Sequence, residues 1–280
     1  MKRQPDGSEV MSPHEPQCQL NGDPFFRVLA QPAPTRHDLE ELAAGVCGVL
    51  HVPGVLAESQ CEKFMYSLDS AMMDHYDPAR YELAIGRFGP VLNEFSGGDG
   101  LSADYWRLSA RAESYWSTIK GAADIRSACR RFLSDAWGTG VETAAIEHRD
   151  LFWGIVREAN AGTLIHWDEV VREYPSTPLQ EVPVAQLACN VFVSVPESGG
   201  ETSVWRHRWQ PEDEQHRFRF GYHAAAVAPH SQIMVKPRLG DAVFFDSRNF
   251  HRAEAGTGGR RVSLSFFLGV TTSGRLLIWS

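Results

Sequence analysis

The second half of this 280-residue chain consists of short β-rich runs, and this pattern constrains the fold more than any other feature. From about residue 144 onward, segments rich in Val, Ile, Phe, Trp and Thr alternate with Gly and Pro, as is typical of strands joined by turns. These segments lie at residues 151–159, 162–170, 185–195, 202–209, 231–237, 241–247 and 260–270. Such a succession of short strands predicts an all-β sandwich or barrel.

The first half of the chain has apolar residues at helical spacing instead. Residues 38–50, 57–72 and 104–137 predict helices, and residues 49–56 predict a short strand followed by a turn. Helices that precede a β-rich half suggest an α+β to mainly β fold. We therefore predict a double-stranded β-helix (jelly-roll, cupin-like) core with N-terminal helices packed on one face.

The domain organisation follows from these two sequence patterns, helical in the first half and β-rich in the second. Residues 1–24 mix Pro, Gly, Ser and charged side chains without periodicity, which predicts a disordered tail. The remainder, residues 25–280, predicts a single domain. Within it, residues 25–143 form helical and strand decoration, and residues 144–280 form the jelly-roll core.

Charge and composition exclude several classes of partner. The net charge is −8 and no block of Lys or Arg is present, so the chain lacks the clustered positive charge that binds phosphate backbones. No run approaches the roughly 20 apolar residues that span a bilayer, and the N-terminus lacks a signal-peptide core. The five cysteines include no C-x-x-C pair. We expect a cytoplasmic protein with reduced thiols and with no nucleic-acid or membrane partner. The sequence leaves the oligomeric state open, and a homodimer is possible.

Three residues suggest a metal centre. His166 and Asp168 are two apart, and on a strand this spacing places both side chains on the same face. His251 follows the β-rich run at residues 241–247 after a short connection, so a barrel can bring it to the same place. Two imidazoles and one carboxylate suit iron(II) in oxygenases, because three coordination positions remain open.

An arginine downstream supports this assignment. Arg261 begins a strand in which Arg261, Ser263 and Ser265 alternate with apolar residues. An inward-facing arginine needs an anionic partner, and its planar fork matches a carboxylate. Arg261 is therefore a candidate carboxylate clamp to which Ser263 can add a hydroxyl group. Its neighbour Arg260 points the opposite way on a strand.

The order of these motifs resembles the 2-oxoglutarate/Fe(II)-dependent dioxygenase superfamily over roughly residues 150–270. The order is H-x-D at 166–168, G-G-E at 199–201, P-x-x-G-D-x-V-x-F at 237–245, His251, and R-x-S at 261–263. Residues 188–209 and 246–267 are similar to the small-molecule hydroxylases of N-substituted and free amino acids and to the related carrier-independent aliphatic halogenases.

The resemblance implies an activity and a set of ligands. Iron(II) would be held by His166, Asp168 and His251, with 2-oxoglutarate and O₂ as co-substrates and Arg261 and Ser263 on the far carboxylate of 2-oxoglutarate. Succinate and CO₂ would be released as an unactivated C–H bond of a small molecule, an amino acid or N-acyl amino acid derivative, is hydroxylated. The halogenases carry Gly or Ala where this chain has Asp168, so we expect hydroxylation rather than chlorination.

Several residues and outcomes stay open at this stage. Asn190 either binds 2-oxoglutarate or satisfies a buried backbone group, and Arg206, His207 and Arg208 either bind the substrate or form a solvated loop. The segment at residues 205–223 is long and polar enough to be a lid. A cupin-type metal enzyme without 2-oxoglutarate, a non-catalytic barrel, and oxygenases that perform desaturation, epoxidation or ring formation in natural-product biosynthesis remain alternatives.

Overall fold

A computed structural model describes residues 23–69, 73–77, 83–97, 100–175 and 179–280. The predicted tail, residues 1–24, lies almost wholly outside these described residues. Most of the helices lie in the first half of the chain, as predicted. The helices are α1 Arg36–Ala43, α2 Glu58–Asp69, α3 Leu92–Phe95, α4 Ala103–Trp116, α5 Ile125–Trp137 and α6 Val170–Glu173.

Strands occur throughout the described residues and dominate the second half. Those before residue 180 are β1 Val28–Ala30, β2 Val49–Val52, β3 Asp74–His75, β4 Gly86–Phe88, β5 Ser96–Gly97, β6 Gly100–Leu101, β7 Val141–Thr143, β8 Ala145–Ile146, β9 Arg149–Asp150 and β10 Ile155–Glu158. Those after it are β11 Ala185–Ser194, β12 Ser198–Gly199, β13 Thr202–Arg208, β14 Arg217–Phe218, β15 Gly221–Tyr222, β16 Gln232–Val235, β17 Ala242–Asp246, β18 Asn249–Ala253, β19 Gly256–Thr257, β20 Val262–Val270 and β21 Leu276–Trp279.

Most of the strands form a large sheet and a small sheet that face each other, and the others form two-stranded pairs. The large sheet has the order β1-β2-β17-β11-β20-β10-β4-β3, with β21 added to β20 and β7 added to β21. The small sheet has the order β16-β13-β18 and is antiparallel throughout. Val204, Ile233 and Val235 of the small sheet share a buried cluster with Phe192 and Phe245 of the large sheet. This two-sheet, mainly β architecture agrees with the predicted jelly-roll core.

The central strand β11 is apolar on both faces. Ala188 and Phe192 point into the cluster between the sheets, whereas Leu187 and Cys189 belong to the cluster that also contains the helices. A strand covered on both faces is expected to be a nearly continuous apolar run rather than a strict alternation. Gln186 and Asn190 are polar residues on the same face as Ala188, and Asn190 lies at the site described below.

Two local predictions from the sequence were wrong. The helix predicted over residues 38–50 ends at Ala43, because Gly45 takes a left-handed conformation with φ of 77° and the chain then enters β2. The strand predicted over residues 162–170 is reduced to isolated bridges at Ile165 and His166 before α6 begins. No helix among the described residues is long and apolar enough to cross a membrane.

The turn before β17 depends on a glycine. Gly240 has φ of 82°, its N–H donates to the Phe192 carbonyl at 2.8 Å, and its carbonyl accepts from Leu56 N–H at 3.0 Å. A Cβ atom at this position would lie 2.1 Å from the Leu56 carbonyl oxygen. Gly138, at the end of α5, has a similar φ of 78° but no atom within 4 Å of the corresponding Cβ position.

We predict that Gly240→Ala destabilises the fold more than Gly138→Ala does. Left-handed backbone strain alone costs about 1–2 kcal/mol and affects both variants, whereas the backbone contact affects only Gly240→Ala. We expect at least about 2 kcal/mol of additional loss, measured by urea denaturation. Equal losses in the two variants would show that the Leu56 segment moves away freely.

Candidate active site

His166 and His251 are joined through their main chains. His166 N–H donates to the His251 carbonyl at 3.0 Å, and His251 N–H donates to the His166 carbonyl at 2.8 Å. Residues paired in this way have neighbouring side chains on one face of the sheet, and the two imidazole centroids lie 4.3 Å apart. Asp168 completes the cluster, since the ligand atoms of all three residues lie within 4.8 Å of one another.

The two imidazoles are oriented by backbone carbonyls. The Nδ1 atom of His166 lies 2.8 Å from the Leu164 carbonyl oxygen, and that of His251 lies 2.9 Å from the Asn249 carbonyl oxygen. A carbonyl can only accept, so each Nδ1 carries the proton and each Nε2 presents a lone pair. The Asp168 Oδ2 atom lies 3.7 Å from Nε2 of His166 and 3.3 Å from Nε2 of His251. The three donor atoms therefore face one point.

The main chain at Asp168 is fixed from two sides. Asp168 N–H donates to the Ser247 carbonyl at 2.9 Å, and the Ser247 hydroxyl donates back to the Asp168 carbonyl at 3.0 Å. The Gln186 amide donates to the same carbonyl at 3.2 Å and accepts from Val170 N–H at 2.8 Å. Sequence reasoning missed both roles, because a single Gln within a strand or a single Ser in the turn after one has no spacing signature.

The electrostatics of the cluster prepare it to bind a cation. Burial, reinforced by the neighbouring His251, lowers the pKa of His166 to about 4. Burial opposes the ionised form of Asp168, but the adjacent histidines outweigh it and hold the pKa of Asp168 below its usual range. At neutral pH the cluster therefore offers a neutral imidazole at His166 and an ionised carboxylate at Asp168.

The cluster opens into a cavity that also contains the predicted co-substrate residues. Its polar lining includes Thr163, Asn190, Thr202, Arg252, Arg261, Ser263 and Ser265, and its apolar lining includes Leu164, Ala188, Phe220, Phe245 and Phe267. Tyr76, Asn93 and Arg157, which the sequence did not suggest, line it as well.

Arg261 is a buried cation at this cavity, only 4% exposed. Its Nε donates to the Gly200 carbonyl at 3.0 Å, and its Nη2 donates to the Thr202 hydroxyl at 3.3 Å. Burial lowers the pKa of Arg261 to about 10, partly offset by Glu201, so the side chain is still charged at neutral pH. Among the described residues, no carboxylate lies within ion-pair distance of it. Arg260, by contrast, pairs with Glu158 at 2.8 Å.

Ser263 and Asn190 belong to one hydrogen-bonded row on the inner face. Ser265 Oγ donates to Asn190 Oδ1 at 2.7 Å and lies 3.0 Å from Ser263 Oγ. Because the proton of Ser265 goes to Asn190, Ser263 donates to Ser265. Asn190 therefore satisfies a side-chain hydroxyl rather than a backbone group, and its NH₂ group remains able to donate.

The predicted substrate residues Arg206, His207 and Arg208 lie elsewhere. None of them lines the cavity. Each is held by an acidic side chain of the chain itself, at 2.6 Å for Arg206–Asp23, 2.9 Å for His207–Asp213 and 2.7 Å for Arg208–Asp246.

The segment that follows them does reach the site. Tyr222 N–H donates to the Ile165 carbonyl at 2.9 Å, and the Trp167 indole donates to the Tyr222 hydroxyl at 3.2 Å. This pairing covers the extended segment that contains Ile165 and His166, and it places the Phe220 ring 5.7 Å from the His166 ring. The long polar connection thus contributes an apolar wall of the cavity.

Comparisons with known proteins agree with this geometry. The family model described as carrier-protein-independent halogenase WelO5 matches residues 173–280, a range that begins after Asp168. The chain is 38% identical over 258 residues to an L-γ-glutamyl-L-propargylglycine hydroxylase from Streptantibioticus cattleyicolor, covering 91% of this chain and 96% of that protein.

Two further similarities are more distant. Leucinostatins biosynthesis cluster protein S from Purpureocillium lilacinum is 26% identical over 185 residues, which is 57% of this chain and 74% of that protein. A solved N-substituted L-amino acid dioxygenase from Burkholderia ambifaria, in complex with α-ketoglutarate, aligns with a TM-score of 0.56 at 18% identity, covering 87% of this chain and 90% of that one. The structural similarity to the dioxygenase supports the fold.

We predict that the metal-free protein loses stability as the pH falls from about 6.5 towards 4. In the unfolded chain His166 takes up a proton near 6.5, whereas in the folded protein it resists protonation until about 4. The unfolded state therefore binds more protons in this window, and one such group contributes a slope of up to about 1.4 kcal/mol per pH unit.

His166→Gln should reduce this slope relative to wild type, measured by urea denaturation across the same pH range. Because other carboxylates also titrate there, the comparison is between variants. His37→Gln is the matched control, since His37 lies exposed on α1. A slope in His166→Gln equal to that of wild type would contradict the prediction.

Proposed function

The chain belongs to the 2-oxoglutarate/Fe(II)-dependent dioxygenase superfamily, and from this premise we propose that it hydroxylates an unactivated C–H bond of an amino acid or N-acyl amino acid. Its 38% identical relative is a hydroxylase, and we assign iron(II) and 2-oxoglutarate as the cofactor and co-substrate of this enzyme. The assignment of metal-binding and co-substrate-binding residues rests on one observation. A His-Asp-His cluster and a buried arginine without a carboxylate partner among the described residues line the same cavity.

The donor set fits iron(II). Two imidazole Nε2 atoms and one carboxylate oxygen converge from one side, and no further His, Cys, Asp or Glu of the described residues joins the cluster. A three-residue set of this kind leaves positions open for exchangeable ligands. We assign His166, Asp168 and His251 as the residues that hold the metal.

Arg261 fits the far carboxylate of 2-oxoglutarate. Burying a guanidinium without an anionic partner is unfavourable, and a bound carboxylate removes this penalty. The Thr202 hydroxyl and the Asn190 amide line the same cavity and can donate hydrogen bonds to the carboxylate. The Ser263 hydroxyl would turn from Ser265 to the carboxylate when 2-oxoglutarate binds. When bound, iron and 2-oxoglutarate supply the oxidising power, with release of succinate and CO₂.

The chain's own residues then position the substrate and exclude water. Phe220, Phe245 and Phe267 give the cavity apolar walls close to the metal ligands. The carbonyl-bound Nδ1 atoms keep both imidazoles in one tautomer and orientation throughout the reaction. These restraints place one carbon of the substrate beside the metal.

The names of the relatives support the substrate class. The 38% identical protein is a hydroxylase of a γ-glutamyl amino acid, and its alignment covers nearly the whole of both chains. Asp168 favours hydroxylation over halogenation, because the carboxylate occupies the coordination position that the halogenases leave to a halide. Family membership likewise favours the oxygenase over a cupin-type enzyme without 2-oxoglutarate.

The domain assignment is also part of the proposal. We assign residues 25–280 to one catalytic domain whose helices support the outer face of the large sheet. Buried side chains of α1, α2, α4 and α5 share a cluster with Leu187, Cys189 and Val191 of β11. The opposite face of β11 lies against the small sheet and the cavity. The helices would thus stiffen the sheet without entering the site.

We predict that Arg261→Gln weakens 2-oxoglutarate binding, whereas Asp168→Ala weakens iron binding. Iron(II) and 2-oxoglutarate are titrated anaerobically while the visible charge-transfer band of the chelate is recorded. Loss of a buried charge partner is expected to raise the Kd for 2-oxoglutarate at least about 30-fold. The matched control is Arg260→Gln, which removes the same group from the adjacent position.

The controls separate the roles of these residues. Arg260→Gln should bind 2-oxoglutarate like wild type, because its guanidinium pairs with Glu158. If wild type binds iron but shows neither the band nor affinity for 2-oxoglutarate, the assignment of this cavity is wrong. Equal losses in Arg260→Gln and Arg261→Gln would refute the clamp role of Arg261.

We predict that the product carries one hydroxyl oxygen derived from O₂, even when chloride is present. Amino acids, N-acyl amino acids and γ-glutamyl-L-propargylglycine are incubated with iron(II), 2-oxoglutarate and ¹⁸O₂, and products are analysed by mass spectrometry. Hydroxylated product labelled with ¹⁸O is expected, because Asp168 occupies the halide position. A chlorinated or desaturated main product would overturn this outcome.

A further inference from the structure

We propose that Arg157 is a second anion-binding group of the cavity and anchors a carboxylate of the substrate. This inference rests on the proposed function, since it concerns what the cavity recognises besides 2-oxoglutarate. It narrows the substrate class to molecules with a free carboxylate, such as amino acids and N-acyl amino acids. Esters, amides and carrier-bound thioesters of the same molecules would lack the group that Arg157 binds.

The register of the large sheet places Arg157 on the cavity side. Arg157 lies on β10, and its Cα partner on β20 is Ser263. Residues directly opposite each other in an antiparallel pair share a face, so Arg157 and Ser263 both point inward. The cavity lining accordingly contains Arg157 together with His166, Asp168 and His251.

Tyr76 holds the Arg157 side chain in place. The Tyr76 hydroxyl accepts a hydrogen bond from Arg157 Nε at 3.0 Å, and the Tyr76 ring lies 4.7 Å from the guanidinium of Arg87. Tyr76 is itself buried, with 7% exposure. The hydrogen bond restrains the guanidinium plane, and a restrained guanidinium is the group that recognises a carboxylate with two parallel bonds.

The charges around the cavity favour an anionic substrate. Among the described residues that line it, the cations are Arg157, Arg252 and Arg261, and the only carboxylate is the metal ligand Asp168. The lining therefore carries more positive than negative charge, and Arg157 contributes to this excess.

The test measures substrate binding to the anaerobic complex with iron(II) and 2-oxoglutarate. The probes are γ-glutamyl-L-propargylglycine, its two monoamides, and N-acetyl-L-propargylglycine with its amide. Wild type, Arg157→Gln, Arg157→Lys and Tyr76→Phe are compared, with Arg260→Gln as the matched control. Apparent Kd values come from the change in the visible band, so no turnover is required.

We expect Arg157→Gln to raise the Kd of the acids at least about 30-fold, with partial recovery in Arg157→Lys. The Kd for 2-oxoglutarate should stay within about twofold of wild type, which also shows that the variant is folded. Wild type should discriminate against one monoamide and against the N-acetyl amide, and Arg157→Gln should not. Tyr76→Phe should raise the Kd of the acids about three- to tenfold, because only an orienting hydrogen bond is lost.

Three results would overturn the inference while leaving the proposed function intact. The first is that Arg157→Gln weakens the binding of 2-oxoglutarate, which would assign Arg157 to the co-substrate. The second is that Arg157→Gln leaves the difference in Kd between acid and amide unchanged. The third is that wild type with 2-oxoglutarate bound binds none of the acids. A wild type that forms no iron(II)–oxoglutarate complex would refute the proposed function itself.

Discussion

The site depends on the pair of main-chain hydrogen bonds between His166 and His251. Residues 162–169 form no regular strand, so this bridge and the adjoining bond from Asp168 N–H to the Ser247 carbonyl hold the first two proposed ligands against β18. Backbone pairing fixes register, and a slip of one residue would turn a side chain to the other face. The convergence of the three donor atoms is therefore a property of strand pairing.

The second constraint is the distribution of buried charge. Most buried cations of this fold have an acidic partner, and Arg87 with Glu94 is an example. Among the described residues, the Arg261 guanidinium contacts the Gly200 carbonyl, the Thr202 hydroxyl and the ring of Phe192, 5.1 Å away, but no carboxylate. Such an arrangement lowers the stability of the empty protein, because the charge is not neutralised. Under the proposed role of Arg261, protein stability and co-substrate affinity are coupled through this one side chain.

Much of the fold could be predicted from the sequence, because β11, β16, β17 and β20 are largely apolar runs bounded by turn residues. The strand that carries His251, β18, was missed because Asn249–Ala253 is short and only half apolar. The predicted positions of His166, Asp168 and His251 depended on residue type and spacing, which a sequence displays directly. Gln186 and Ser247, which hold the main chain of Asp168, could not be predicted. They are distant from Asp168 in the chain, and only the folded strand register brings them to it.

The arginines illustrate the same limit for substrate recognition. A sequence reveals where cations are, but their partners decide whether they stabilise the fold or face a ligand. Arg206 and Arg208 form a conspicuous basic cluster in the sequence, yet the aspartates that pair with them lie far away along the chain. Arg157 is inconspicuous in the sequence and reaches the cavity only because β10 pairs with β20 opposite Ser263. Substrate choice in this fold would therefore depend on the register of β10 as much as on the identity of its side chains.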